Sequence, residues 1–236
     1  MDANPNPIFV PGIDISHHNG CLNWAAIVKA GVAFAYAKAT EGASCSDPLF
    51  GANWRGIRDA GILRGAYHFL HPGSPPEQQA DFFLNTVGGL KAGDLPPVLD
   101  IEETRPVDEW GKIAAAERVP LILRWLLRVE DQTGIRPVIY TRRGWVADEL
   151  PAPGSLSQYP LWVAAYTNAP KPPLPKGWQT WAFWQYTESG SLPGVQGVFD
   201  MDRFNGSSGD LASLCVPANA IETKAIGVVP EVRVLS

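Results

Sequence analysis

Short apolar, β-rich runs alternate with helical segments along the first 142 residues, and few folds accept that rhythm. Gly12-Ile-Asp-Ile-Ser16, Val32–Ala39, Ile62–Leu70, Pro97–Glu102 and Pro137–Thr141 read as strands. Between them, 24–30, 48–60, 77–87 and 121–132 read as helices, with Gly31, Gly61 and Gly134 at stop positions. The helix over 77–87 follows a proline pair, and Pro120 stands where a first helical position accepts proline. Strand followed by helix, repeated, calls for parallel strands covered by helices. After residue 150 the pattern changes: Leu161–Tyr166, Trp181–Tyr186 and Gly197–Asp200 look like strands without full helices between them. Five strand–helix units and three bare strands predict an α/β fold, an eight-stranded (β/α) barrel with an irregular second half. An open doubly wound sheet is the competing arrangement, weakened by the lack of a GxGxxG or Walker-type loop. The 236 residues suit one such domain.

Composition narrows the partners. The net charge of −5 lacks the basic excess expected of a nucleic-acid or anionic-membrane binder. No stretch reaches the ~18–20 apolar residues of a membrane span. Cys21, Cys45 and Cys215 have no zinc-like spacing and are expected as three thiols, although one disulfide would be compatible with their number. The segment Met1–Pro11 carries no Lys or Arg and no long apolar core, so no secretory signal is expected. Cytosolic synthesis is the corresponding expectation.

In a barrel, chemistry belongs where the parallel strands end. Asp14, Glu41, Tyr67, His68, Asp100, Glu102, Tyr140, Tyr166, Gln185 and Asp200 stand there. In Val98-Leu-Asp-Ile-Glu102 the two acids are two residues apart on an extended chain, so they project to one side while Leu99 and Ile101 pack on the other. Two like charges this close, away from water, retain a proton between them. One group then serves as an acid and the other as a stabilising anion, the arrangement that breaks a glycosidic bond. An Asp-x-Glu can equally do no more than solvate a strand end. Asp14 ends the first strand and Asp200 the last, and closure of a barrel makes those strands neighbours.

The four histidines, His17, His18, His68 and His71, invite a metal site with Asp14. Their spacing matches no ligand helix, so loop or supporting roles are expected, with neither metal nor cofactor. No G-x-S-x-G elbow supports a serine hydrolase. Six of the nine tryptophans follow residue 120. Several must fill core, while Trp184 and Tyr166, near strand ends, are candidates for stacking on sugar faces. Lys38, expected to face the same way as Thr40, needs a carboxylate partner inside so apolar a run.

The ordered segments Gly12–Ser16, Ala37-Lys-Ala-Thr-Glu-Gly42, Gly65-Ala-Tyr-His-Phe69, Gln79-Ala-Asp-Phe-Phe83, Pro97–Glu102, Pro137–Tyr140, Leu161–Tyr166, Phe183-Trp-Gln-Tyr186 and Phe199-Asp-Met-Asp-Arg-Phe204 are together far more specific than any one. Over about residues 10–206 the chain resembles the glycoside hydrolase family 25 lysozymes, the N-acetylmuramidases. The resemblance implies a flattened (β/α) barrel with eight strands and about five helices. It implies cleavage of the β-1,4 bond between N-acetylmuramic acid and N-acetylglucosamine in peptidoglycan. Glu102 then corresponds to the general acid, and Asp100 to the group that positions the substrate's N-acetyl group or stabilises its developing charge. Asp14 and Asp200 correspond to two further acids, and Lys38, Tyr67, Tyr140 and Tyr166 to groove positions. The Asp-x-Glu pair resembles the substrate-assisted class of glycosidases. Asp202 stands where relatives more often carry Asn and would face the same way as Asp200, so either could serve the site.

The expected organisation is a catalytic barrel over 1–210 and a tail over 211–236, with Val216–Ser236 rich in small and β-branched residues. The expected partner is the glycan strand of peptidoglycan, met by a monomer with no nucleic-acid or membrane-inserting role. A phage-type endolysin, held in the host cytoplasm before release to the wall, fits these features. The alternatives are a non-catalytic peptidoglycan-binding barrel of a phage particle and a metal-dependent polysaccharide deacetylase.

Overall fold

In the computed structural model, which describes residues 9–218, strand β1 (Phe9–Ile15) lies parallel to β2 (Phe34–Glu41). A two-residue strand, β3 (Cys45–Ser46), hangs antiparallel on the end of β2. Parallel neighbours then follow in chain order: β4 (Leu63–Phe69), β5 (Val98–Asp100), β6 (Val138–Arg142), β7 (Leu161–Ala164) and β8 (Phe183–Gly190). The last strand, β9 (Phe199–Asn205), runs antiparallel to both β8 and β1 and closes the ring. Eight strands therefore form the barrel, with β3 outside it.

Helices α1 (Trp24–Lys29), α2 (Phe50–Asp59), α3 (Pro76–Val87), α4 (Ala115–Thr133) and α5 (Arg143–Glu149) follow successive barrel strands, and α6 (Ser208–Leu214) follows β9. The expected irregular second half is present: β7 and β8 have only loops and short turns around them. Helix α4 begins six residues before the expected start, so Pro120 lies within it. The expected boundary between barrel and tail at 210/211 falls inside α6, which a Ser207/Asp210 capping box starts. Most of the expected tail lies outside the described residues.

Period-two alternation gives the barrel two cores. Phe34, Tyr36, Val98, Trp162, Phe183 and Phe204 fill its interior. Ala35, Ala37, Leu99, Ile139 and Val163 face outward against Ile57, Phe83 and Trp125 from the helices. The large rings of β2 fit because glycine faces them. A Cβ at Gly12 would come within 2.2 Å of the Phe34 ring, and one at Gly65 within 2.0 Å of the Tyr36 ring. Leu211 of α6 joins the interior core beside Val10 and Phe204, at the end of the barrel opposite Asp14. Backbone bonds between Val216 and the 93–94 turn hold the chain after α6, and Asp94 is buried in a 2.6 Å ion pair with Arg64.

Two orientations differ from expectation. Asp200 stands at the start of its strand, because β9 runs downward from the mouth; it nonetheless pairs with Asp14 in the β1–β9 register. On β2 the register with β4 shifts between Lys38 and Thr40. One extra residue turns Thr40 to the helix side, where it meets His68 Nδ1 at 2.7 Å, so Lys38 and Thr40 do not share a face.

Candidate active site

The strand ends surround an open cavity of about 380 Å³. Val98, Asp100 and Glu102 all line it, and Leu99 and Ile101 lie in the outer core, as the alternation requires. Strand β5 ends at Asp100, but the chain stays extended because Leu70 N–H donates to Asp100 O and Ile101 N–H to Tyr140 O, both at 3.0 Å. The Trp110 indole donates to Glu102 O at 2.9 Å and fixes the backbone that carries the second acid.

Asp14, Asp200, Tyr67 and Tyr140 complete the predicted part of the wall. Gln185, expected at a strand end but given no role there, also lines it, as does Trp162, which the sequence does not mark. Gln185 links the cavity's polar groups. Its Oε1 accepts from the Tyr140 and Tyr166 hydroxyls at 2.9 and 2.8 Å, and its Nε2 donates to Asp14 Oδ2 at 2.8 Å. Its signal was the strand itself: inward Phe183 requires inward Gln185 two residues on.

Trp184 corrects an expectation. That same alternation turns it outward, where it is 1% exposed, donates to Ala165 O and packs edge-on against Trp181. It is core and offers no face to a sugar. Tyr166, 48% exposed just beyond β7, keeps an accessible ring at the mouth. Trp162 lies below it, closing the cavity floor, and donates to Asp202 Oδ1 at 2.8 Å. Asp202 is fully buried in the interior, whereas Asp200 reaches the cavity. This depth difference separates the two acids that the sequence left interchangeable.

The acids share one electrostatic predicament. Burial, and then the nearby Asp200, push Asp14 up to about 8. Asp200 rises to about 6, chiefly through burial and then through Glu188. Burial lifts Asp100 well above the usual carboxylate range, and the charge of Glu102 adds to it. Glu102 is also raised by burial, while Arg142 and Lys38 oppose that rise. A cavity with this many desolvated carboxyls holds protons at neutral pH and is suited to giving one to a leaving oxygen.

Lys38 stands apart from the cavity lining and donates to Glu41 at 2.6 Å. Its partner is a carboxylate, as expected, but one shared with a histidine. His71 bridges Glu41 at 2.9 Å and Glu109 at 2.8 Å, tying the end of β2 to the segments that follow β4 and β5. His17 pairs with Asp47, and His68 is buried against Gln79 and stacked on Trp125. Asp14 and the histidines are thus engaged separately. Among the described residues no group of three His, Cys, Asp or Glu side chains is arranged to hold a metal ion. The three cysteines are free thiols. No helix among the described residues is long and apolar enough to cross a membrane.

Residues 13–195 match the family described as Glycosyl hydrolases family 25. Lysozyme M1 of Streptomyces globisporus is 38% identical over 209 residues, which span 87% of this chain and 71% of that protein. An N,O-diacetylmuramidase of Chalaropsis sp is 34% identical over 209 residues, 81% of this chain and 96% of the relative. The crystal structure of a bacterial lysozyme from Streptomyces coelicolor superposes with a TM-score of 0.84 at 37% identity, covering 89% of this chain and 98% of that one.

Proposed function

This chain belongs to the glycosyl hydrolases of family 25, and from that premise we propose that it is a lysozyme that cleaves the β-1,4 bond from N-acetylmuramic acid to N-acetylglucosamine in peptidoglycan. The observation that carries the reading is the Asp100/Glu102 pair, two carboxyls on one side of an extended segment inside a desolvated cavity. The pair retains a proton, and a substrate N–H bound to Asp100 favours the arrangement with that proton on Glu102.

Substrate assistance follows from this division of labour. The acetamido oxygen attacks the anomeric carbon as the glycosidic C–O bond breaks, and Glu102 gives its proton to the departing oxygen. Asp100 accepts from the acetamido N–H and balances the positive charge that develops on the ring so formed. Water then adds at the anomeric carbon, returns its proton to the Glu102 carboxylate and restores the acetamido group, with configuration retained. Asp14 and Asp200 shape the far wall, and Tyr67, Tyr140 and the exposed ring of Tyr166 bound the sugar. The place of action is the cell wall, and the working unit is a monomer.

Glu102→Gln removes the transferable proton and is expected to abolish release of reducing ends from purified peptidoglycan while leaving the far-UV circular dichroism intact. Near-normal activity in that variant would sink the assignment. Asp100→Asn is expected to lose about 10²-fold or more in kcat, and de-N-acetylated glycan should resist cleavage. Equal rates on acetylated and de-N-acetylated strands would refute assistance. A barrel that only binds glycan would sediment with peptidoglycan and release no reducing ends.

A further inference from the structure

Arg142 ends β6 at the rim of the cavity, and its guanidinium meets two carboxylates that are adjacent in sequence. Nη2 lies 3.6 Å from Glu102 Oε2 and in closer contact with Glu103 Oε2. Neighbouring residues of a strand point apart. Here β5 has already ended at Asp100, and the course of the chain after it brings both side chains onto one cation. Arg142 Nε is buried and has no hydrogen-bond partner among the described residues, so these carboxylates alone engage the fork.

We propose that Arg142 is a positioning residue for Glu102, partly diverted from it by Glu103, and that this sharing sets the upper pH limit of the reaction. The inference rests on the reading of Glu102 as the general acid. Every charged group facing Glu102 enters the balance: Asp100 on β5, Asp14 on β1, Asp200 on β9, Glu188 on β8, Lys38 on β2 and Arg142 on β6. The acids and the burial favour the protonated form, and the two cations favour the carboxylate. Lys38 is already bonded to Glu41. Arg142 is the cation that reaches Glu102 at ion-pair distance, and it shares that contact with Glu103.

The test is the pH profile of kcat/KM for release of reducing ends from purified peptidoglycan. Glu102 acts in its protonated form, so activity falls as pH rises through its pKa. Arg142→Gln removes a charge that favours the carboxylate and moves this alkaline limb upward by about half to one unit. Glu103→Gln frees the guanidinium for Glu102 and removes an anion, so the limb moves downward. In the Arg142→Gln background the same Glu103→Gln change should have a much smaller effect. Arg142→Lys keeps the charge and should keep the limb near that of the parent, which separates the electrostatic role from a folding defect. Coincident limbs, shifts of the same sign, an undiminished Glu103→Gln effect without the arginine, or Arg142→Lys behaving as Arg142→Gln would each overturn the proposal. A parent enzyme that releases no reducing ends, or an active Glu102→Gln, would overturn the reading beneath it instead.

Discussion

Gln185 shows how much one side chain can decide. Its oxygen accepts hydrogen bonds from both tyrosine hydroxyls and its amide nitrogen donates to Asp14, so all its strong contacts are within the cavity wall. Tyr140 and Tyr166 therefore present lone pairs, which suit N–H or O–H donors. Gln185→Met keeps the length and loses all three bonds. It leaves buried polar groups unpaired, at a cost of about 1–3 kcal/mol each, and frees two tyrosines to reorient. We expect kcat/KM to fall roughly 10–100-fold with the fold retained, checked by steady-state kinetics beside a thermal melt. Unchanged kinetics would show that the tyrosine orientation does not matter.

At the scale of elements, the barrel interior rests on the match between the bulky β2 and its glycine-bearing neighbours. Phe34 covers Gly12 of β1, and Tyr36 covers Gly65 of β4. The obstruction at Gly65 is an interior ring already packed against Trp162 and Phe183, so it has little room to yield. Gly65→Ala should destabilise the protein by about 1–3 kcal/mol through overpacking, read as a lower urea midpoint with an unchanged m-value. Helix α6 closes the far end of the barrel with Leu211. Leu211→Ala should cost about 2–5 kcal/mol in the same measurement and leave the cavity chemistry intact, since that side chain lies at the opposite end.

The whole molecule bears the cost of its acidic mouth. Asp14 and Asp200, at about 8 and about 6 in the folded state, ionise near 3.8 when unfolded. The folded form therefore binds more protons between these values, and stability declines as pH rises through that window. For Asp200 the decline runs from about pH 4 to about pH 6, and above it the cost is fully present. Asp200→Asn should accordingly raise the melting temperature at pH 7 relative to the parent and have little effect at pH 3.5. A variant gain of equal size at both values would assign the effect to packing rather than charge. The same substitution is expected to lower activity, the usual exchange between a stable site and a working one.

The amino-acid sequence by itself determined the strand–helix order, the facing of Asp100 and Glu102 and the acidic, aromatic character of the strand ends. These follow from periodicities of a few residues, which local sterics impose on any extended chain. Tertiary structure alone decided which way β9 runs, where β2 bulges, and that Trp162 and Gln185 face the cavity while Trp184 does not. Alternation states that Trp184 and Gln185 face apart, but not which of them faces in. That choice is made when hydrogen bonds between distant strands close the ring, and the single bulged residue on β2 shows how one step in register reverses it. Asp200 still meets Asp14 although its strand runs opposite to the parallel seven, because closure places the strands side by side in either direction.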